Sequence, residues 1–260
     1  MKKTVAVLTA LILGLFGSTA AFAGEGWFTD SGFSAGGDLS YYTQYVWRGF
    51  VLDRDNVIQP SYYISTPDTK YGKLTGKVWS SHDTQNQDNL KSEENDYILD
   101  YTYTLSDVSL LGNVSLSLGH TYYDFVDTDT FSREWYTGVS LPKVFLSPSL
   151  FFYRDYGNEE DGGGFGTYTV LNLAKSIPVE LKGVPSSLEL SGHYGYNNKL
   201  FMTGKGGDIG MTVGFKTQLT KNLTIMPNVN YSIVLDDLKA EEYGNQKNRF
   251  YTGATAVYAF

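Results

Sequence analysis

Along most of this chain, hydrophobic and polar positions alternate one by one, and the last thirteen residues show the pattern most plainly. Phe250, Thr252, Ala254, Ala256, Tyr258 and Phe260 form one set, and Arg249, Tyr251, Gly253, Thr255, Val257 and Ala259 the other. A period of two belongs to a strand. One set is apolar with an aromatic residue at each end, while the other is smaller and ends in a charge. Such a strand suits lipid on one side and a polar lumen on the other. The alternation recurs in Tyr97, Leu99, Tyr101, Tyr103 and Leu105 against Asp96, Asp100, Thr102 and Thr104, and in Leu223, Ile225, Val229, Tyr231 and Ile233 against Thr224, Asn228, Asn230 and Ser232.

Twelve such segments are predicted, at 34–48, 56–66, 71–82, 95–106, 112–124, 132–142, 147–157, 164–175, 186–197, 206–219, 222–235 and 247–260. The expected fold is all-β: a transmembrane antiparallel up-and-down β-barrel of twelve strands, with both termini on one side. The last strand should close onto the first, because lipid cannot satisfy a free sheet edge. A soluble sandwich also alternates, but its apolar face would meet a second sheet and would not need aromatic residues at the ends of nearly every strand.

Met1-Lys2-Lys3, the apolar run Thr4 to Phe16 and Ala21-Phe22-Ala23 read as a secretory signal peptide, residues 1–23, cleaved to leave the barrel at 24–260. The apolar run is too short to span a bilayer. Composition narrows the class further. With 21 Tyr, 15 Phe and 28 Gly but no Cys, the chain has no disulfide framework and no thiolate metal site. A net charge of −8 removes the basic face that a nucleic-acid binder needs. A terminal Phe on an amphipathic strand resembles the assembly signal of bacterial outer-membrane barrels. The expected location is therefore the Gram-negative outer membrane, with membrane lipid, lipopolysaccharide and the barrel assembly machinery as partners.

The connections sort into two kinds. Those on the side of the termini should be short periplasmic turns, and they hold Pro67, Pro142, Pro178, Pro185 and the Thr220-Lys221-Asn222 turn. The others should face outward, and they carry Asp53, Asp55, Asp83, Asp88, Glu93, Glu94, Asp127, Asp129, Asp155, Glu159, Glu160, Asp161, Asp236, Asp237, Glu241 and Glu242. Most of the negative charge is thus expected on the external rim, either as solvated loops beside lipopolysaccharide or as a funnel that concentrates cations.

Near the first outward loop runs Tyr45-Val46-Trp47-Arg48-Gly49, followed after the loop by Val57-Ile58-Gln59-Pro60. These residues resemble the TorF (Gcw_chp) family of outer-membrane porins, whose first strand typically ends in tyrosine-x-tryptophan-arginine-glycine. The resemblance covers the mature chain in outline and implies an outer-membrane barrel of channel function, with no catalytic residues to carry over. By parity with Leu39, Tyr41 and Thr43, Tyr45 and Trp47 should face lipid at the outer interface and Arg48 should face inward. Arg249, with lumen parity on the closing strand, should approach Arg48, and Glu134 or the loop carboxylates would balance the pair.

Parity assigns the pore-lining set as Tyr42, Gln44, Arg48, Lys77, Asp100, Glu134, Tyr136, Glu189, His193, Lys216, Asn228, Asn230 and Arg249. Lys77 is expected opposite Asp100, and Glu189 near Lys216, as two wall-bracing pairs. Small lumen residues such as Gly119, Gly138, Gly195, Gly210 and Gly253 favour a narrow pore in a barrel of intermediate size. His193 shares a strand face with Ser191 and Glu189, but steps of about 6–7 Å along a strand are too long for a triad. The expected function is a passive channel for small polar solutes or ions, without catalysis, cofactor or metal. A closed structural or adhesive barrel is the alternative, followed by a lipid- or peptide-hydrolysing enzyme.

Overall fold

The computed structural model describes residues 31–85, 92–239 and 246–259. The signal peptide, Phe260, Asp88, Glu241 and Glu242 lie outside the described residues. In chain order the strands are β1 (Ser34–Tyr42), β2 (Tyr45–Trp47), β3 (Phe50–Asp53), β4 (Val57–Ser65), β5 (Lys73–Asp83), β6 (Ser92–Val108) and β7 (Gly112–Phe125). There follow β8 (Thr130–Ser140), β9 (Ser149–Asp155), β10 (Thr167–Leu181), β11 (Val184–Asn198), β12 (Lys205–Gln218), β13 (Leu223–Asp236) and β14 (Arg249–Ala259).

Twelve of these, β1 and β4 to β14, form a closed antiparallel barrel. The seam runs from Gly36 opposite Ala259 to Tyr42 opposite Gly253, and the other edge of β1 pairs with β4 from Ser34↔Ser65 to Tyr42↔Val57. The predicted closure and even strand count are both present.

The barrel is apolar outside and polar inside. Leu99, Leu118 and Trp135 are about half exposed at 52%, 54% and 51%, whereas the lumen-facing Ser61 and Glu134 are at 0%. That inversion of the globular pattern is what a lipid-facing wall requires. Toward the β7–β8 end of the wall, His120 Nε2 bonds the Tyr156 hydroxyl at 2.6 Å and its ring packs edge-on against Trp135 at 4.7 Å, part of an aromatic belt.

Three expectations about the strands need correction. The first segment does not run to residue 48: β1 ends at Tyr42, where Thr43 caps the seam through bonds with Thr252. Pro67 and Pro142 do lie in short connections, but Pro178 and Pro185 sit within paired strands, opposite Ser187 and Glu180, and the turn is Lys182-Gly183. Asp155 and Glu94 are not rim charges. Asp155 is fully buried, accepting bonds from Ser132 Oγ and from the Gly157 and Phe165 amides, and Glu94 is 6% exposed.

The small lumen residues also do something other than widen a pore. A Cβ on Gly119, Gly195, Gly210 or Gly253 would stand 2.0–2.4 Å from the rings of Tyr136, Tyr168, His193 or Tyr42, and one on Gly138 would meet Phe151 at 2.3 Å. Each glycine is the bed on which a ring from the neighbouring strand lies. The rings therefore lie along the wall, and only a side chain of no size at the bed permits it.

Candidate functional site in the lumen

The feature that sets the lumen apart is the hairpin β2–β3, which leaves the wall after Tyr42 and folds inward. Trp47 pairs with Phe50, so the tip is the two-residue loop Arg48-Gly49, with φ of 49° and 83°. Two consecutive positive φ angles mark the type I′ geometry that tight hairpins favour, and Gly at the second position is its usual residue. Gly49 is also needed for space, since a Cβ would come within 2.9 Å of Asp208 Cβ.

Following the barrel round from the β1–β4 pair, between whose strands the hairpin emerges, the wall diametrically opposite is β9–β10. Arg48 reaches it. Its guanidinium makes two bonds to Glu134 on β8, at 2.7 and 2.8 Å. It also lies over the rings of Trp47, Tyr153 and Tyr168 at 4.3–4.6 Å. Glu134 is completely buried and receives a third bond from the Tyr123 hydroxyl at 3.0 Å. Burial works against the guanidinium charge, and Glu134 more than offsets it, holding the group above its ordinary value. The hairpin is thus a strut across the lumen, held by a forked ion pair in an aromatic cage.

Packing fixes the rest of the strut. Phe50 joins Met202, Val234 and Leu238 in one apolar cluster, and Trp47 packs against it and against a second made of Tyr168, Val170 and Leu200. Tyr45 donates to Glu94 at 3.0 Å and packs on Trp79. Tyr45 and Trp47, expected at the lipid interface, are therefore inside. The parity argument failed because the segment is no longer part of the wall.

The predicted pore-lining residues divide accordingly. Arg48 and Glu134 meet, as anticipated for one of the suggested partners, but Arg249 is not part of the pair: it sits opposite Ser232 with its Nε buried and unbonded. Lys77 is opposite Ile98, while Asp100 faces Thr75 and accepts the Tyr136 hydroxyl at 2.8 Å. Lys216 is opposite Ser187, while Glu189 faces Gly214 and accepts bonds from Ser176 and Ser187. Both expected wall pairs are thus offset by one two-residue step of register. Tyr42, Gln44 and Asn230 line a lumen cavity of about 290 Å³ with Tyr45, Gln59, Thr212 and Tyr251. Asn228 extends its polar wall through a bond from Asn230 at 2.7 Å.

His193 has a partner that was missed. Its Nε2 lies 2.6 Å from Asp208 Oδ2, and Tyr168 donates to the other oxygen at 2.9 Å. Among the described residues Ser191 makes no bond to His193. Asp208 has the same parity as Gly210, Gly214 and Lys216, so the signal was available; its pairing across strands was not. Asp53, Asp83 and Glu93 bring ligand oxygens within 4.8 Å of one another at the rim, the sole such group among the described residues. They are partly exposed carboxylates on three separate segments, so spacing along the chain could not reveal them.

A closed twelve-stranded barrel with a lipid-facing apolar band and a polar interior defines the class: this is an outer-membrane β-barrel. No family model matches the chain, and no curated protein does. Solved structures do resemble it. Outer membrane phospholipase A from Escherichia coli is 12% identical over 86% of this chain and 92% of that one, with a TM-score of 0.48. The NanC porin is 9% identical over 86% and 98%, at 0.48. An outer membrane channel from Pseudomonas putida F1 is 9% identical over 88% and 96%, at 0.49. These proteins include an enzyme and channels, so the assignment of fold rests on the chain's own strand pairing.

Proposed function

We propose that this barrel is a narrow passive diffusion channel for small polar solutes or ions, constricted near its outer mouth by the β2–β3 hairpin. The observation that carries this is the polar cavity beside the strut. Gln44 and Tyr45 of the hairpin segment face Gln59, Thr212, Asn230 and Tyr251 of the wall across about 290 Å³. Hydrogen-bonding groups on both sides suit water and small polar solutes. Filtering would be steric and electrostatic, with no energy source, cofactor or catalytic step. The resemblance to the TorF (Gcw_chp) porins points the same way and rests on Tyr45, Trp47, Arg48 and Gly49. Outer-membrane lipid and lipopolysaccharide would surround the barrel, and the assembly machinery would recognise the carboxyl-terminal strand.

A closed barrel is the second reading, favoured by the span of the hairpin and its buried Arg48–Glu134 latch. Planar-bilayer recording of the folded protein separates the two. Discrete conductance steps are expected of a channel, and their absence at every voltage, with the protein shown to be folded by heat-modifiable electrophoretic migration, establishes the closed barrel.

A further inference from the structure

At the outer mouth, a second cavity of about 260 Å³ lies between the hairpin and the wall on the side of β6 and β7. Its lining differs from that of the polar cavity. Trp47 and Phe50 come from the hairpin, Tyr123 and Phe125 from β7, and Phe201 from the β11–β12 loop; Glu94 of β6 is the acidic member. The rings do not simply stack on one another. Trp47 meets Tyr123 and Phe201 at 73° and 66°, with centroids 6.1 and 5.7 Å away, while Tyr123 and Phe125 lie nearly parallel at 5°. Ring faces are thereby turned in several directions around one space. Such a cage attracts a cation by the quadrupoles of its rings and an apolar body by its surface.

Charge selects between those two attractions. Glu94 takes one bond from Tyr45 and is in hydrogen-bond contact with Asp96, which is itself 8% exposed with Oδ1 buried and unbonded, so the two carboxyls share a proton and carry one negative charge between them. Positive charge is scarce there. Lys77 acts on Asp96 without an ion pair to it, and Arg48 is committed to Glu134. The floor of an aromatic pocket thus holds one buried negative charge, and among the described residues no cation forms an ion pair with it. The volume falls just below the ~300–1,000 Å³ of pockets for drug-sized ligands, so the occupant is small.

We propose that this pocket binds a small amphipathic organic monocation, an arylalkyl- or alkylammonium, with its ammonium toward Glu94 and its apolar body among Trp47, Tyr123, Phe125 and Phe201. This goes beyond the channel reading and does not depend on conduction, since an equilibrium site at the mouth fills whether or not the lumen is open.

The test is titration calorimetry of the full-length folded barrel in neutral-lipid nanodiscs, with phenethylammonium chloride and its uncharged analogue 2-phenylethanol as probes. Saturable one-site binding of the amine is expected, with the alcohol weaker by about tenfold or more, the worth of one desolvated cation–ring and carboxylate contact. Glu94→Gln should bring the amine down to the level of the alcohol and leave the alcohol unchanged, whereas Phe125→Ala should weaken both. Electrophoretic heat-modifiability checks that each variant is folded; should Glu94→Gln fail to fold, Phe125→Ala and the amine-to-alcohol ratio of the unaltered protein decide. Equal affinity for amine and alcohol overturns the proposal, as does amine uptake no greater than in protein-free discs. Displacement of the amine by stoichiometric sodium or calcium assigns the site to an inorganic ion and overturns it too. Binding without conductance would sink the channel reading and leave this one standing.

Discussion

Replacing Arg48 tests what holds the hairpin in the lumen. Asn is the informative substitute, because it tolerates the left-handed φ of 49° found at position 48 and so removes the charge while keeping the turn. What is lost is a forked ion pair to a carboxylate with 0% exposure, together with cation–ring contacts to Trp47, Tyr153 and Tyr168 at 4.3–4.6 Å. Removing one partner of a buried pair costs about 3–5 kcal/mol, chiefly because Glu134 is left charged and dry with Tyr123 as its remaining donor. At 1.4 kcal/mol per factor of ten, the balance between docked and released hairpin shifts by roughly 10²–10³·⁵. The barrel itself should survive, since its twelve strands are closed independently of the strut. Two readouts report release: larger single-channel conductance, and a red-shifted emission from Trp47 once Trp27, Trp79 and Trp135 are replaced by Phe. Adding Glu134→Gln to Arg48→Asn should restore most of the docking, as removal of both partners of a buried pair is close to neutral. Unchanged conductance and emission in Arg48→Asn, or a double variant no better docked than the single one, would refute the latch.

Gly49→Ala should loosen the same hairpin by a separate route, by about 1–3 kcal/mol, because a non-glycine residue at φ 83° is strained and its Cβ would press on Asp208 at 2.9 Å; a blue-shifted Trp47 that does not move would contradict this. Asp53 on the hairpin has its carboxyl pushed above the ordinary range, first by burial, with the Asp55 amide opposing and Asp83 and Asp55 adding to the rise. A raised carboxyl favours docking in its protonated form, so docking should be fullest below the ordinary carboxylate value and weaken as pH rises through the raised one; Asp53→Asn should flatten that dependence in the Trp47 emission. Gly195→Val should displace Tyr168, whose hydroxyl a Cβ would meet at 2.0 Å and whose ring at 2.4 Å, and with it the hydroxyl bond to Asp208; a folded barrel with unaltered near-ultraviolet circular dichroism would argue against the ring-on-glycine wall. In bilayers that conduct, Lys77→Glu should shift the reversal potential toward cation selectivity, and an unmoved potential would make Lys77 structural only.

Much of the fold was legible because a lipid-facing strand writes its two faces into alternate residues. The run from Tyr97 to Leu105 is exposed on one side and polar on the other, as its parity predicts, and the seam between β1 and β14 follows from the need to leave no edge in lipid. Parity also placed Tyr42, Glu134, Tyr136, His193, Asn228 and Asn230 on the inner face. It misplaced Tyr45 and Trp47 because it presumes that a strand stays in the wall. The signal for departure was there in Trp47-Arg48-Gly49-Phe50, a two-residue turn with Gly at its second position, but in sequence it is indistinguishable from the outer end of a strand. Which residues face each other across neighbouring strands was not legible either: a two-residue shift leaves every face unchanged while moving Lys77 from Asp100 to Ile98 and Lys216 from Glu189 to Ser187.

Alternation along the chain therefore determined the class of fold, the strand count, the closure and the polarity of each face, since these depend on one strand and its two solvents. Tertiary structure decided the inward turn of the hairpin, the pairing of Arg48 with Glu134 rather than any approach to Arg249, the rings lying over glycines, and the union of His193 with Asp208. Each of these joins side chains from different strands across register or across the lumen. Their energies come from burial and charge at contacts between residues as far apart as 48 and 134, which no local pattern encodes.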